Sequence, residues 1–206
     1  MKLWAGAVLV FALVLFSASL DKAFPTPDVF FESINFSRQG ELVFDDAYRG
    51  SNPSSEIVFA YFMDFRCPSC LEQHPTIEQL QQNYPQINFL YKHLAVVDPV
   101  NSPFAATVYE CGKQQGVHQE LSYYMFAPQF TQADVLEYVE SLGVDMNVFL
   151  QCIHSEETAL LIKADKIHAS LLDVRGTPTV FINGIKVEGA HSFEVYEALI
   201  EGELDE

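Results

Sequence analysis

Basic side chains are scarce in this sequence. Eleven Lys and Arg stand against 28 Asp and Glu, a net charge of −17, and that balance argues against a nucleic acid held by phosphate neutralisation. A surface this acidic repels acidic clients and favours neutral or basic ones. Cysteine is sparse as well, with four among 206 residues. The 17 Phe, the 9 Tyr and a hydrophobic content of 49% build a core of ordinary size without disulfide stapling. The four cysteines therefore call for a chemical explanation. Repeats and low-complexity tracts are missing too, so the length reads as one domain or one domain with an insertion.

Charge is absent altogether from Leu3 to Leu20. Lys2 precedes an apolar run to Phe16, and the small residues Ser17, Ala18 and Ser19 follow. Residues 1–20 thus read as a signal peptide, or as an N-terminal membrane anchor, since the stretch approaches the roughly 20 residues that span a bilayer. Either reading puts the folded part outside the cytoplasm, in a periplasmic or other extracytoplasmic space where disulfides persist.

Residues 21–50 form an N-terminal extension with Pro25 and Pro27, and the alternation from Glu41 to Phe44 predicts an edge strand. Glu56 to Met63 (EIVFAYFM) is a continuous aromatic and β-branched run, the pattern of a strand covered on both faces. A helix follows from about Ser69 to Asn83, with Pro75 as a kink site, and Ile87 to Leu94 reads as a second strand parallel to the first. From about 104 to 174 the signals are helical throughout. Thr131 with Asp134 has the form of a capping box, and Gly143 that of a helix stop. Thr179 to Val187 then reads as a hairpin turning at Asn183-Gly184, and Phe193 to Ile200 as a closing helix. This order predicts an α/β fold, a mixed central sheet flanked by helices with an all-helical insertion.

The chemistry centres on Cys67-Pro68-Ser69-Cys70, just past a buried strand and at the start of a helix. Unpaired backbone N–H groups and the helix dipole favour an anion there, so Cys67 is expected to be the low-pKa thiolate. Cys70, one turn into the helix, is placed to be buried and to resolve a mixed disulfide. Arg66 and His74 are candidates for tuning the pair, with His93 a further histidine at the end of the second strand; an ordinary solvated or hydrogen-bonded histidine is the alternative. A CxxC can also be half of a zinc site. Here the remaining cysteines, Cys111 and Cys152, form no second close pair, and no metal or other cofactor is expected. Gly176-Thr177-Pro178-Thr179 precedes a strand, where Pro178 is compatible with a cis bond that leaves the Thr177 backbone free for an extended substrate, or with an ordinary trans turn.

Two segments together, Phe62-Met63-Asp64-Phe65-Arg66-Cys67-Pro68-Ser69-Cys70 and Val174-Arg175-Gly176-Thr177-Pro178-Thr179-Val180-Phe181-Ile182-Asn183-Gly184, resemble the DsbA-like thiol-disulfide oxidoreductases. The resemblance implies a thioredoxin fold over residues 51–206, with the insertion at about 104–174. It implies Cys67 as nucleophile, Cys70 as resolving thiol, and Thr177 with cis-Pro178 as the substrate-facing loop. Relatives often pair cysteines at places similar to Cys111 and Cys152, which suggests a second disulfide there; as a staple closing about 40 residues it is worth about 4 kcal/mol, and the alternative is a redox relay, which needs exposure. One departure stands out. Many relatives carry a glutamate six positions before the first cysteine, and here that position is Tyr61.

The activity implied is exchange of disulfides with unfolded or extended proteins. Export and the neutral Pro-Ser dipeptide lean toward disulfide formation, with a quinone-linked or vitamin K epoxide reductase-like membrane partner restoring the oxidised enzyme. The alternatives are a reductase or isomerase, a metal carrier using Cys67 and Cys70 as soft ligands, and a redox-inert peptide-binding module built around Pro178.

Overall fold

The computed structural model describes residues 34–36, 42–44, 46–127 and 131–205. The expected leader at 1–20 lies outside them, and among the described residues no helix is long and apolar enough to cross a membrane. Two short strands, β1 (Ile34–Phe36) and β2 (Leu42–Phe44), pair antiparallel as a sheet of their own. The strand predicted near 41–44 therefore forms, but its partner is local and it does not edge the main sheet.

The central sheet consists of β3 (Val58–Met63), β4 (Asn88–His93), β5 (Thr179–Ile182) and β6 (Ile185–Glu188), in the order β4-β3-β5-β6. β3 and β4 run parallel, Val58 opposite Asn88 through Met63 opposite His93, because α1 (Pro68–Asn83) carries the chain back between them. β5 and β6 add antiparallel through a tight turn at Asn183 and Gly184, whose positive φ values of 46° and 106° suit a hairpin of right-handed twist. The outer side of β4 is covered by residues 46–52 rather than by a strand. Ser51 exchanges hydrogen bonds with Phe89, and the Asn88 side chain donates to Ala47 O and accepts from Asn52 N.

Between β4 and β5 lie α2 (Asn101–Lys113), α3 (His118–Met125), α4 (Gln132–Ser141), α5 (Met146–Ile153) and α6 (Glu156–Leu171), and α7 (Phe193–Leu204) closes the fold. The predicted capping box forms in full, with Thr131 Oγ1 accepting from Asp134 N and Asp134 accepting from Thr131 N. α2 begins earlier than its apolar pattern suggests. Asp98 accepts from the backbone of Val100 and Asn101 and so starts the helix ahead of Pro103, which sits in the first turn where its missing N–H costs nothing.

The sheet separates two cores. Phe59, Tyr61 and Met63 face Ile77 and Leu80 of α1, Tyr196 and Ile200 of α7, and the buried faces of α2 to α5. Ala60 and Phe62 face Leu90, Phe181, Ala169 and Val174 beneath α6. Each fully buried large apolar side chain contributes about 1.5–3 kcal/mol, so β3, nearly all of it inaccessible, anchors both layers. The redox tetrapeptide hangs from its C-terminal end.

Candidate active site

Cys67 is the N-cap of α1, with extended backbone, and Pro68 takes the first helical position. Proline suits that place because its absent N–H is one of those the helix leaves unpaired. The approach from β3 is held by Asp64, which is 2% exposed. Its carboxylate accepts from Arg66 N at 2.8 Å, Val96 N at 2.8 Å and Val97 N at 2.9 Å, while its backbone oxygen accepts from Cys67 N at 3.0 Å. One buried carboxylate thus ties the strand end, the tetrapeptide and the loop after β4 together.

Both cysteines are free thiols. Cys67 is 8% exposed and Cys70 is fully inaccessible. Cys67 Sγ lies 3.2 Å from the carbonyl oxygen of Thr177, and the Thr177–Pro178 peptide is cis. The pairing of Phe62 with Thr179 brings that loop beside the tetrapeptide, although the two are more than a hundred residues apart in the chain.

The Cys67 thiol is lowered from 9.0 to about 5. A hydrogen bond from the Cys70 thiol is the main cause, helped by the Thr177 side chain and by the backbone N–H groups of Cys70 and Ser69, against the opposing effect of burial. Cys70 moves the opposite way, far above its ordinary value, because its proton is held by Cys67 and because it is buried. One sulfur is therefore an anion at neutral pH and the other a thiol, the division of labour that disulfide exchange needs.

Arg66 and His74, candidates for tuning the pair, contact α3 or the turn that follows it. Arg66 donates from Nη1 to Ala127 O at 2.8 Å. The His74 ring packs on Tyr123 and Phe126, its Nε2 lies 3.1 Å from Ser122 Oγ, and burial lowers it to about 4, so it is neutral at pH 7. His93 Nε2 lies 2.9 Å from Glu110. Cys111 of α2 and Cys152 of α5 are joined as a disulfide between two helices of the insertion, with Cys152 Sγ 3.4 Å from Thr158 Oγ1.

Sequence reasoning missed a buried ionic cluster behind the sheet. Lys92 of β4, fully inaccessible, pairs with Asp46 and lies 3.2 Å from Asp165 Oδ1 and 2.7 Å from His168 Nδ1. Arg49 donates to Asp46, Asp165 and Glu110. Asp165 is held below the usual carboxylate range by Arg49 and Lys92 against the opposing cost of burial, and Glu110 is lowered to about 2 by His93 and Arg49 against the same cost. Asp46, Asp165 and His168 would make a metal-ligating triad, but the Lys92 ammonium stands among them where a cation would sit. The sequence did hold a signal, a lysine inside the apolar run INFLYKHL.

Comparison with known proteins bears on the whole assembly. A thioredoxin family model matches residues 45–202. Among curated proteins, the Na(+)/H(+) antiporter NhaA 3 of Salinispora tropica is 30% identical over 158 residues, covering 75% of this chain and 24% of the antiporter. The chain thus spans about a quarter of the length of that relative. Among solved structures, a thioredoxin-like oxidoreductase from Silicibacter pomeroyi superposes with a TM-score of 0.67 at 19% identity, over 76% of this chain and 91% of that one. The thiol-disulfide exchange protein alpha-DsbA2 from Wolbachia pipientis does so with a TM-score of 0.67 at 19% identity, over 73% and 83%.

Proposed function

The chain belongs to the thioredoxin family, and from that premise we propose that it is an extracytoplasmic protein-disulfide oxidoreductase that forms disulfides in extended protein substrates. The observation that carries the reading is the asymmetry of Cys67 and Cys70, a thiol lowered to about 5 beside one that stays protonated, against a cis-proline loop. A thiolate stabilised in the reduced enzyme favours that form over the disulfide, which makes the disulfide form oxidising.

In the forward direction the enzyme starts with Cys67 and Cys70 bonded. A substrate thiolate attacks Cys67 Sγ, the Cys67–Cys70 bond breaks, and Cys70 departs as a thiolate that takes up a proton. A second substrate thiolate then attacks the substrate sulfur of the mixed disulfide and releases Cys67 as the stable thiolate. The substrate leaves oxidised by two electrons and the enzyme is left reduced. A membrane redox protein, quinone-linked or vitamin K epoxide reductase-like, would take those electrons, as the family resemblance implies. The Thr177 backbone beside cis-Pro178 offers an extended substrate a strand-like edge. Cys111 and Cys152 serve as a staple in this scheme, and the leader-like residues 1–20 and a disulfide-bearing fold support a site of action outside the cytoplasm.

The test is the redox equilibrium of Cys67 and Cys70 against glutathione, read by alkylation and mass mapping. A potential well above that of thioredoxin is the expected result. A potential near thioredoxin's reassigns the protein as a reductase or isomerase, and no exchange at all overturns the enzyme reading.

A further inference from the structure

Tyr61 stands in the middle of β3 and is 1% exposed, yet its hydroxyl makes no well-formed hydrogen bond among the described residues. A buried hydroxyl left without a partner is costly and calls for an explanation. Its neighbours sharpen the question. Two other phenols of the same core already have acceptors, Tyr91 on Gln81 at 3.3 Å and Tyr196 on Gln73 at 3.4 Å. The group coupled to the Tyr61 hydroxyl through a side-chain hydrogen bond, longer or less aligned than an ordinary one, is Cys70, and burial, followed by that sulfur, raises Tyr61 well above its ordinary value. The phenol therefore keeps its proton throughout the working pH range and acts as a donor, not as a base.

We infer that the Tyr61 hydroxyl is the hydrogen-bond donor for the Cys70 sulfur whenever that sulfur carries charge. The inference rests on the oxidoreductase reading and adds a positioning residue to it. Cys70 is a thiolate at two moments, on leaving the Cys67–Cys70 disulfide when a substrate thiolate attacks Cys67, and just before it attacks Cys67 to expel a bound thiol. In both, an inaccessible sulfur holds a negative charge without water, and a donor already aimed at it needs no reorganisation. At rest the charge sits on Cys67, Cys70 is neutral, and the Tyr61 hydroxyl has no well-formed acceptor. The groups that face Cys70 are Cys67 from α1, Tyr61 from β3, Tyr196 from α7, the Thr177 side chain from the cis-proline loop and the backbone of Asp64. None of these is a carboxylate side chain, and the share of the Tyr61 donor is to stabilise the thiolate left when the Cys70 proton departs.

The experiment follows the reduced full chain with its second disulfide intact as it reacts with the 5-thio-2-nitrobenzoate disulfide. Attack by Cys67 on the reagent releases one thionitrobenzoate. Attack by the Cys70 thiolate on Cys67 Sγ then forms the Cys67–Cys70 bond and expels the second, with the Cys70 proton going to buffer. In Tyr61→Phe the second release slows about 10- to 100-fold at pH 7, the range expected for losing a hydrogen bond to a charged group, and its pH profile moves to higher pH. The first release and the Cys67 titration stay as in the wild type. Replacing Tyr61 by 3-fluorotyrosine, a stronger donor of the same shape, moves the second profile to lower pH. Superimposable second-release profiles overturn the inference, and so does an equal slowing of both releases, which marks general loosening. Should Tyr61→Phe fail to fold, the fluorinated chain decides alone, and an unshifted profile overturns the inference. A wild type that never releases the second thiol overturns the oxidoreductase reading together with this one.

Discussion

The two cysteine pairs of this protein are built from the same atoms and treated in opposite ways. Cys67 and Cys70 stand at a strand end and a helix start, where each sulfur sets the other's protonation and backbone N–H groups converge on one of them. Cys111 and Cys152 join α2 to α5 within the helical insertion, and the hydroxyl of Thr158 is hydrogen-bonded to Cys152 Sγ. Both pairs are equally buried, one sulfur-bearing residue 8% exposed and the other inaccessible in each, so it is the hydrogen-bond donors around the sulfurs, and neither burial nor residue type, that set the pairs apart.

That contrast can be broken at several points. The largest effect is expected from Cys67→Ser, which reduces thiol exchange to the uncatalysed rate while the Cys111–Cys152 bond and the fold persist; alkylation mapping and thermal melting read the two together. Next, removing the second pair with Cys111→Ala and Cys152→Ala is expected to cost about 4 kcal/mol of unfolding free energy for a loop of this size, with a sequence separation of 41. Its exchange rate should stay within about threefold of wild type, as a staple requires; a large fall would make the second pair a relay. Asp64→Ala comes third. It strips three backbone N–H groups of their acceptor and should cost about 2 kcal/mol in urea denaturation, along with a slower Cys67 reaction.

The smallest effect is the most diagnostic. A Cys67 thiol at about 5 in the folded protein against 9.0 when unperturbed is a depressed acid. Its stabilisation of the reduced form is therefore fully present above the unperturbed value and is lost as pH falls through 5. Below that point two protons accompany reduction, and above it one does. The midpoint potential of Cys67/Cys70 should fall by about 59 mV per pH unit below the break and about 30 mV above it. Redox titration over pH 4 to 8 checks this, and a single slope throughout would remove the thiolate from the account.

Much of the architecture was legible because it is local. The capping box at Thr131 and Asp134 and the Asn183-Gly184 turn depend on residues within a few positions of one another, which propensity and pattern report directly. The placement of Cys67 at a helix start was legible for the same reason. The alternation near 41–44 specified a strand but not which strand it joins, and its partner is the local β1. Arg66 and His74 were legible as neighbours in sequence of the redox pair, but their partners, Ala127 O and Ser122, came only from packing.

Local sequence pattern specifies most of the elements, their order, and a tetrapeptide whose first cysteine stands at a helix start. Only the tertiary structure sets the distance of Thr177 from Cys67, the approach of Tyr61 to Cys70, and the pairing of Lys92 and Arg49 with Asp46, Asp165 and Glu110 behind the sheet. These contacts join residues far apart in the chain or depend on which side chains close around a buried group. No local propensity encodes such meetings; they exist because the elements bury their apolar faces together, and every polar group enclosed in the process has to be answered by whatever packing brings beside it.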